Sequence, residues 1–105
     1  MQVIANSSSE QYLEQFIILM EHQRLYLIRE LSSGEIARLI NIRSSRLNKL
    51  LYESLGMEIR QIISMYRIQH ARELLAMGVR YRELWKLSGF SSQSSMDREF
   101  EDIVY

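Results

Sequence analysis

One pattern occurs twice in this chain, 48 residues apart. The first copy reads Ile36-Ala37-Arg38-Leu39-Ile40-Asn41-Ile42 and is followed by Leu47-Asn48-Lys49-Leu50-Leu51. The second reads Leu84-Trp85-Lys86-Leu87-Ser88-Gly89-Phe90 and is followed by Met96-Asp97-Arg98-Glu99-Phe100. Each copy predicts a short amphipathic helix, a tight turn, and a second helix with a basic residue two positions after an apolar one. That is the layout of a helix-turn-helix unit. No segment shows the strict alternation of a strand, so the repeat and its flanks read as helices.

Local signals place the helices. Ser7-x-x-Glu10 has the form of a capping box, and Tyr12, Leu13, Phe16, Ile17 and Met20 follow it as an apolar stripe. Ser32-x-x-Glu35 is a second box, flanked by Leu31 and Ile36 at hydrophobic-staple positions. A helix opening at Arg43 or Ser44 runs to Leu55 and stops at Gly56. The longest helix is expected over 58–77, with Ile59, Ile62, Ile63, Tyr66, Ala71, Leu74 and Leu75 along one stripe, and Gly78 ends it. The last two helices are expected over 80–88 and 92–103. The expected fold is all-α, two helix-turn-helix subdomains joined by a long central helix, with about seven helices in all. Residues 1–30 form an N-terminal helix and lead-in, and 31–105 the double helix-turn-helix domain. Its first unit covers 31–56, the linker helix 58–77 and the second unit 80–103.

Composition excludes several classes. The 105 residues amount to one domain of ordinary size, able to bury a modest core. There is no cysteine, so neither a disulfide nor a thiolate metal site is available. No apolar run reaches membrane-spanning length. The start, Met1-Gln2-Val3-Ile4, lacks the charged region of a signal peptide, and a cytoplasmic location is expected. Formal net charge is zero, but its distribution is uneven. Residues 1–35 carry −3, residues 36–98 carry +6, and the last seven carry −3. The basic excess coincides with the repeated segments, and only weak non-specific attraction to a polyanion is expected.

The ordered residues resemble the AraC/XylS-type DNA-binding domain, in which one long helix joins two helix-turn-helix units. The resemblance runs from Leu25 to Phe100. It rests on Leu25-Tyr26-Leu27, Glu35-Ile36-Ala37, Gly56, Tyr66-Arg67-Ile68, Ala71 with Leu74-Leu75, and most densely on Ser88-Gly89-Phe90-Ser91-Ser92-Gln93-Ser94-Ser95 with Arg98 and Phe100. It implies a domain of a bacterial transcriptional regulator that inserts two recognition helices into successive major grooves. A connecting helix of about 20 residues is about 30 Å long, close to one turn of B-DNA.

In the first recognition helix Ser44, Ser45, Arg46, Asn48 and Lys49 offer polar, amide and basic groups. Arg and Lys suit guanine and Asn suits adenine. The resemblance puts Ser45, Arg46 and Lys49 at base- or backbone-contacting positions. In the second helix Ser92, Gln93, Ser94 and Arg98 match the family's contacting positions. Two departures stand beside them. Trp85 occupies a position where the family has a small residue, a rule Ala37 keeps in the first unit. Partial burial of the ring against Met96 and Phe100 is expected. Glu101 and Asp102 stand where basic residues are usual, and acids repel a phosphate backbone. The alternative function is therefore a helix-turn-helix protein-interaction module with weakened DNA binding.

The expected partner is double-stranded DNA. RNA polymerase and a separate effector or dimerisation domain outside this chain are further partners that the resemblance implies. No cofactor, metal or catalysis is expected. His22 and His70 lack the neighbours of a metal or catalytic set, and no nucleophile, base and orienting group share a pattern. Met57, Met65, Met77 and Met96 suit gap-filling in a core. Tyr66 is expected to point inward and Arg67 to tie helices together.

Overall fold

A computed structural model describes the backbone of residues 4–104 and the side-chain surroundings of residues 9–101. Met1, Gln2, Val3 and Tyr105 lie outside the described residues, as do the side chains of Ser7 and Asp102. Among the described residues there are six α-helices, one 3-10 turn and no strand. The helices are α1 (Ile4–Glu21), α2 (Ser33–Leu39), α3 (Ser44–Leu55), α4 (Ile59–Ala76), α5 (Tyr81–Leu87) and α6 (Gln93–Val104). Leu25–Leu27 in the lead-in form the 3-10 turn, and the α-helices number six where about seven were expected. The α1 backbone is already helical at Ile4, so the Ser7 position lies within the helix and not at its start. The long helix α4 is unbroken from Ile62 to Leu74.

The second capping box forms in full. Glu35 N–H donates to Ser32 Oγ at 3.2 Å, and Ser32 N–H donates to Glu35 Oε1 at 3.0 Å. Two of the donors left over at a helix start are satisfied by one pair of side chains. Ile36 follows with no exposure, so the local cap and the buried face agree.

The chain divides into two compact units. The first comprises residues 1–25 and 31–60, and the second residues 26–30 and 61–105. In the first unit α2 packs on α3, and α1 packs on α3 as well. Phe16, Met20, Ile36, Ala37, Ile40, Leu47, Leu51 and Ile59 are buried. Phe16 and Met20 stand four apart on one face of α1, whereas Ile17 is turned about 100° away and is 42% exposed. Ile17 therefore leaves the apolar stripe that its spacing suggested.

In the second unit α5 packs on α6. Ile68, Ala71, Leu84, Phe90 and Met96 form its core, with Leu74, Val79, Trp85 and Phe100 packed against them half-buried. Tyr66 stacks on Tyr26 at 5.6 Å, and His70 meets the same ring edge-on at 5.9 Å. Arg67 donates from Nε to the Tyr26 carbonyl at 2.7 Å and from Nη2 to the Ile28 carbonyl at 2.8 Å. The expected tying role of Arg67 thus takes the form of a side chain holding the lead-in backbone. Burial lowers its pKa, an effect that nearby Glu99 opposes. Leu75 is 45% exposed because the buried line of α4 passes through Ile68 and Ala71 toward Leu74. Met96 is fully buried in the core and Met57 is half-buried, whereas Met65 and Met77 are exposed.

The two copies of the repeat fold in the same register. α2 and α5 are each seven residues long and begin 48 residues apart. After α2 the chain turns at Asn41, with φ +60, and after α5 at Gly89, with φ +90. Ile42 N–H donates to the Ala37 carbonyl and Phe90 N–H to the Trp85 carbonyl, both at 3.0 Å. Each turn is therefore closed by the left-handed residue and the bond reaching back over it that commonly end a helix. The second turn is then one residue longer, since α3 opens at Ser44 and α6 at Gln93. The inward residues keep this 49-residue offset: Leu47 and Met96 are both fully buried.

Candidate nucleic-acid interface

The inner face of α3 is anchored by Leu47 and Leu51, neither of which is exposed. That anchoring fixes what the helix shows outward. Ser45, Arg46 and Lys49 are exposed, while Ser44 and Asn48 are half-buried. Arg43 caps α3 with its backbone alone, and no side chain caps the start of the helix. Its first N–H groups carry the positive end of the helix dipole. Arg43 and Arg38 are exposed beside them, and both line a shallow concavity with Asn41, Ile42 and Ser44.

Two of the proposed contact residues also have neighbours inside the first unit. The Asn48 side-chain oxygen accepts a long bond of 3.4 Å from Ile59 N–H at the start of α4. One face of the Asn48 amide thus serves the fold, and its NH₂ group is not used in that bond. Arg46 places its guanidinium 5.5 Å from the centre of the Tyr12 ring, which α1 contributes. Asn48 and Lys49 border a second shallow concavity with Tyr52 and Glu58. Tyr52 is 60% exposed one turn beyond Lys49. In the sequence nothing separates Arg43 or Tyr52 from other surface residues; only their position beside the outward face of α3 does so.

The counterpart helix α6 differs in chemistry. Ser92 is half-buried and accepts from Ser95 N–H at 3.0 Å, so its hydroxyl caps the helix. Gln93, Ser94 and Arg98 are exposed. Asp97 accepts a short hydrogen bond from the Tyr81 hydroxyl. This bond is the main cause that raises the Tyr81 pKa from 10.0 to about 12. Glu101 is exposed one turn after Arg98, so the outward charge of α6 is mixed where that of the α3 start is basic, while Glu99 is half-buried near Arg67.

Trp85 is half-buried against the cluster that contains Met96, as expected. Its ring also lies 5.2 Å from the Arg29 guanidinium and 5.8 Å from the Lys86 ammonium. The large ring is accommodated by covering the core with one part of its surface and meeting cations with another. At Ile40's counterpart the second unit has Ser88, fully buried, with no hydrogen-bond partner for its hydroxyl.

Two structural copies of a helix, a left-handed turn and a helix are now defined, and a family model described as a helix-turn-helix domain matches residues 36–104. The chain belongs to the AraC/XylS-type helix-turn-helix family. Membership makes it a DNA-binding domain of the transcription-regulator kind. The chain is also similar to a solved structure, the C-terminal domain of the two-component response regulator yesN from Fusobacterium nucleatum subsp. nucleatum ATCC 25586. The TM-score is 0.72 at 13% identity, over 92% of this chain and 95% of that one, which establishes a common fold. No curated protein matches the chain by sequence. Among the described residues no helix is long and apolar enough to cross a membrane, and no group of His, Cys, Asp or Glu is placed to hold a metal ion.

Proposed function

We propose that this AraC/XylS-type domain reads duplex DNA sequence-specifically, with α3 and α6 each entering a major groove and the two grooves being successive. The observation that carries the reading is the outward face of α3. Ser45, Arg46 and Lys49 are exposed together on a helix whose opposite face is locked by Leu47 and Leu51. Arg46 and Lys49 would read guanine edges or bind phosphate, and the Asn48 amide would reach adenine. Ser44 and Ser45 would meet phosphates near the uncapped helix start. In α6, Gln93, Ser94 and Arg98 would make the corresponding contacts, with Ser92 holding the helix start. On this reading residues 31–105 form the DNA-binding domain of a bacterial regulator that works in the cytoplasm, without enzymatic activity. RNA polymerase and a separate effector or dimerisation domain would be its other partners.

Selection of bound sequences from random duplexes at a stated salt concentration tests the proposal. A single enriched motif is the expected result, and recovery of unbiased sequence would overturn it. Gel-shift titrations then rank the residues. Arg46→Ala and Lys49→Ala should each weaken binding by about 1–3 kcal/mol, and Arg98→Ala by less. The order rests on local charge: Asp97, Glu99 and Glu101 lie within three positions of Arg98, whereas the acids nearest Lys49 are Glu53, four positions on, and Glu58, across the shallow concavity. If Arg98→Ala proves the most damaging of the three, the ranking is wrong.

A second reading has one observation in its favour. Asp97 is tied to Tyr81, and Arg98 is followed by two exposed or half-buried acids. On that reading the second unit docks a protein and only the first reads DNA. It requires that Gln93→Ala and Arg98→Ala leave the selected motif and the affinity unchanged.

A further inference from the structure

The first unit contains an aromatic side chain set against a proposed base-reading arginine. Tyr12 stands on α1, which packs on α3, and its half-buried ring lies 5.5 Å from the Arg46 guanidinium. We infer that Tyr12 is a positioning residue for sequence readout, carrying the face of the Arg46 guanidinium so that its N–H edge is presented to one base pair. The inference rests on the proposed reading of DNA by α3.

The two chemistries of a guanidinium are separable. Its flat face stacks on an aromatic ring, and its hydrogen-bond donors lie in the plane at the edge. Bidentate recognition of guanine uses only the edge. Contact with Tyr12 therefore restrains Arg46 without consuming the donors that reading requires. An exposed arginine with no such support samples many rotamers and loses that freedom when it docks. A ring held on a packed helix removes part of that loss before the DNA arrives.

The second unit is a built-in comparison. At the 49-residue offset shared by Leu47 and Met96, the counterpart of Arg46 is Ser95. Ser95 is half-buried and its backbone N–H is bound to the Ser92 hydroxyl. Nothing at that position in α6 is long enough to be buttressed. The supported arginine belongs to the first unit, and with it α1 becomes part of the reading machinery as well as of the core.

The test uses the full chain and the sequence it selects from random duplexes. Parent, Tyr12→Phe, Tyr12→Leu, Arg46→Ala and the Tyr12→Leu/Arg46→Ala double variant are titrated on the selected duplex and on duplexes changed one base pair at a time. Arg46→Ala should flatten the preference at one base pair. Tyr12→Phe keeps the ring and should behave as the parent. Tyr12→Leu should lose about two- to five-fold at that base pair alone, the range for an exposed cation–ring contact. It should add no loss on top of Arg46→Ala, and it should leave the salt dependence unchanged because no phosphate contact is removed. In the free protein, proton NMR should show an upfield ring shift of the Arg46 δ protons that Tyr12→Leu abolishes.

A loss spread over all base pairs, additivity with Arg46→Ala, or absence of the ring shift would each overturn the inference. Should Tyr12→Leu not fold, Tyr12→Met takes its place in the same cycle. A parent that selects no motif would sink the DNA reading and this inference together. A parent that selects one, with Tyr12→Leu indistinguishable from it, sinks only the role of Tyr12.

Discussion

Replacing Gly89 with alanine would drive a methyl group into the backbone of its own unit. A Cβ at Gly89 would lie 2.3 Å from the Tyr26 carbonyl oxygen, 3.0 Å from Arg67 Nε and 3.0 Å from Leu27 Cα. Two of these are main-chain atoms that cannot swing aside. The Tyr26 carbonyl is also the acceptor of the 2.7 Å bond from Arg67. Moving it away weakens the hold on the lead-in at the same time. Three costs follow. The φ of +90 is unfavourable for any residue with a Cβ, by about 1–2 kcal/mol. Overpacking adds about 1–3 kcal/mol. A damaged hydrogen bond from a charged donor adds about 1.5–3 kcal/mol. These share one displacement and do not add in full, so the expected loss is about 3–5 kcal/mol. Gly78 is the control: its φ is +94 in the same unit, but no atom lies within 4 Å of its Cβ position. Gly78→Ala should show the dihedral cost alone, about 1–2 kcal/mol.

Urea melts followed by tryptophan fluorescence measure both. Trp85 is the one tryptophan of the chain and lies in the same unit as both glycines. The midpoint should fall in the order parent, Gly78→Ala, Gly89→Ala, at a constant slope. If Gly89→Ala falls within about 1 kcal/mol of Gly78→Ala, the close approach to Tyr26 contributes nothing and the reasoning is refuted.

Ser88→Ala should leave stability unchanged or raise it by about 1 kcal/mol, because it removes a buried hydroxyl that has no partner; a clear drop in the thermal midpoint would contradict this. Trp85→Ala should cost about 1.5–3 kcal/mol by circular dichroism, the value of the apolar surface of a half-buried ring, and a change under about 0.5 kcal/mol would show that the ring covers nothing. One of the six tyrosines should titrate near 12 by tyrosinate absorbance and vanish from the curve in Tyr81→Phe. Because the folded-state pKa is raised, the Tyr81–Asp97 bond stabilises the fold fully below pH 10.0 and its contribution is lost as pH rises toward about 12. A stability difference between parent and Tyr81→Phe that persists unchanged above that range would contradict the assignment.

Most of the helical frame is legible in the sequence because its causes are local. Ser32 and Glu35 stand three apart and satisfy each other, so their residue types suffice to mark a helix start. The 48-residue repeat predicts that both turns take one geometry, and Asn41 and Gly89 do adopt the left-handed region that their residue types tolerate best. The one-residue lengthening of the second turn is visible as the change from a 48- to a 49-residue offset between the copies. Exposure was less legible at stripe edges. Ile17, Met65 and Leu75 are apolar residues at helical spacing, yet which side of a stripe is covered depends on the neighbouring helix and not on the helix itself.

What only the tertiary structure decided concerns partners far apart in the chain. Arg67 holds the carbonyls of Tyr26 and Ile28 from about 40 positions away, and carbonyl direction has no signature in residue type. Asn48 looks like an unoccupied reading residue in the sequence, but the start of α4 takes its oxygen because an orphan N–H of a helix start lies beside it. Tyr12 reads as one more member of an apolar stripe until α1 is laid on α3 and its ring meets Arg46. Trp85 departs from the small residue at its counterpart Ala37, and the sequence alone could not place its ring between a core and two cations. Periodicity and capping act over a few residues, whereas these contacts depend on which helix faces which, and packing alone settles that.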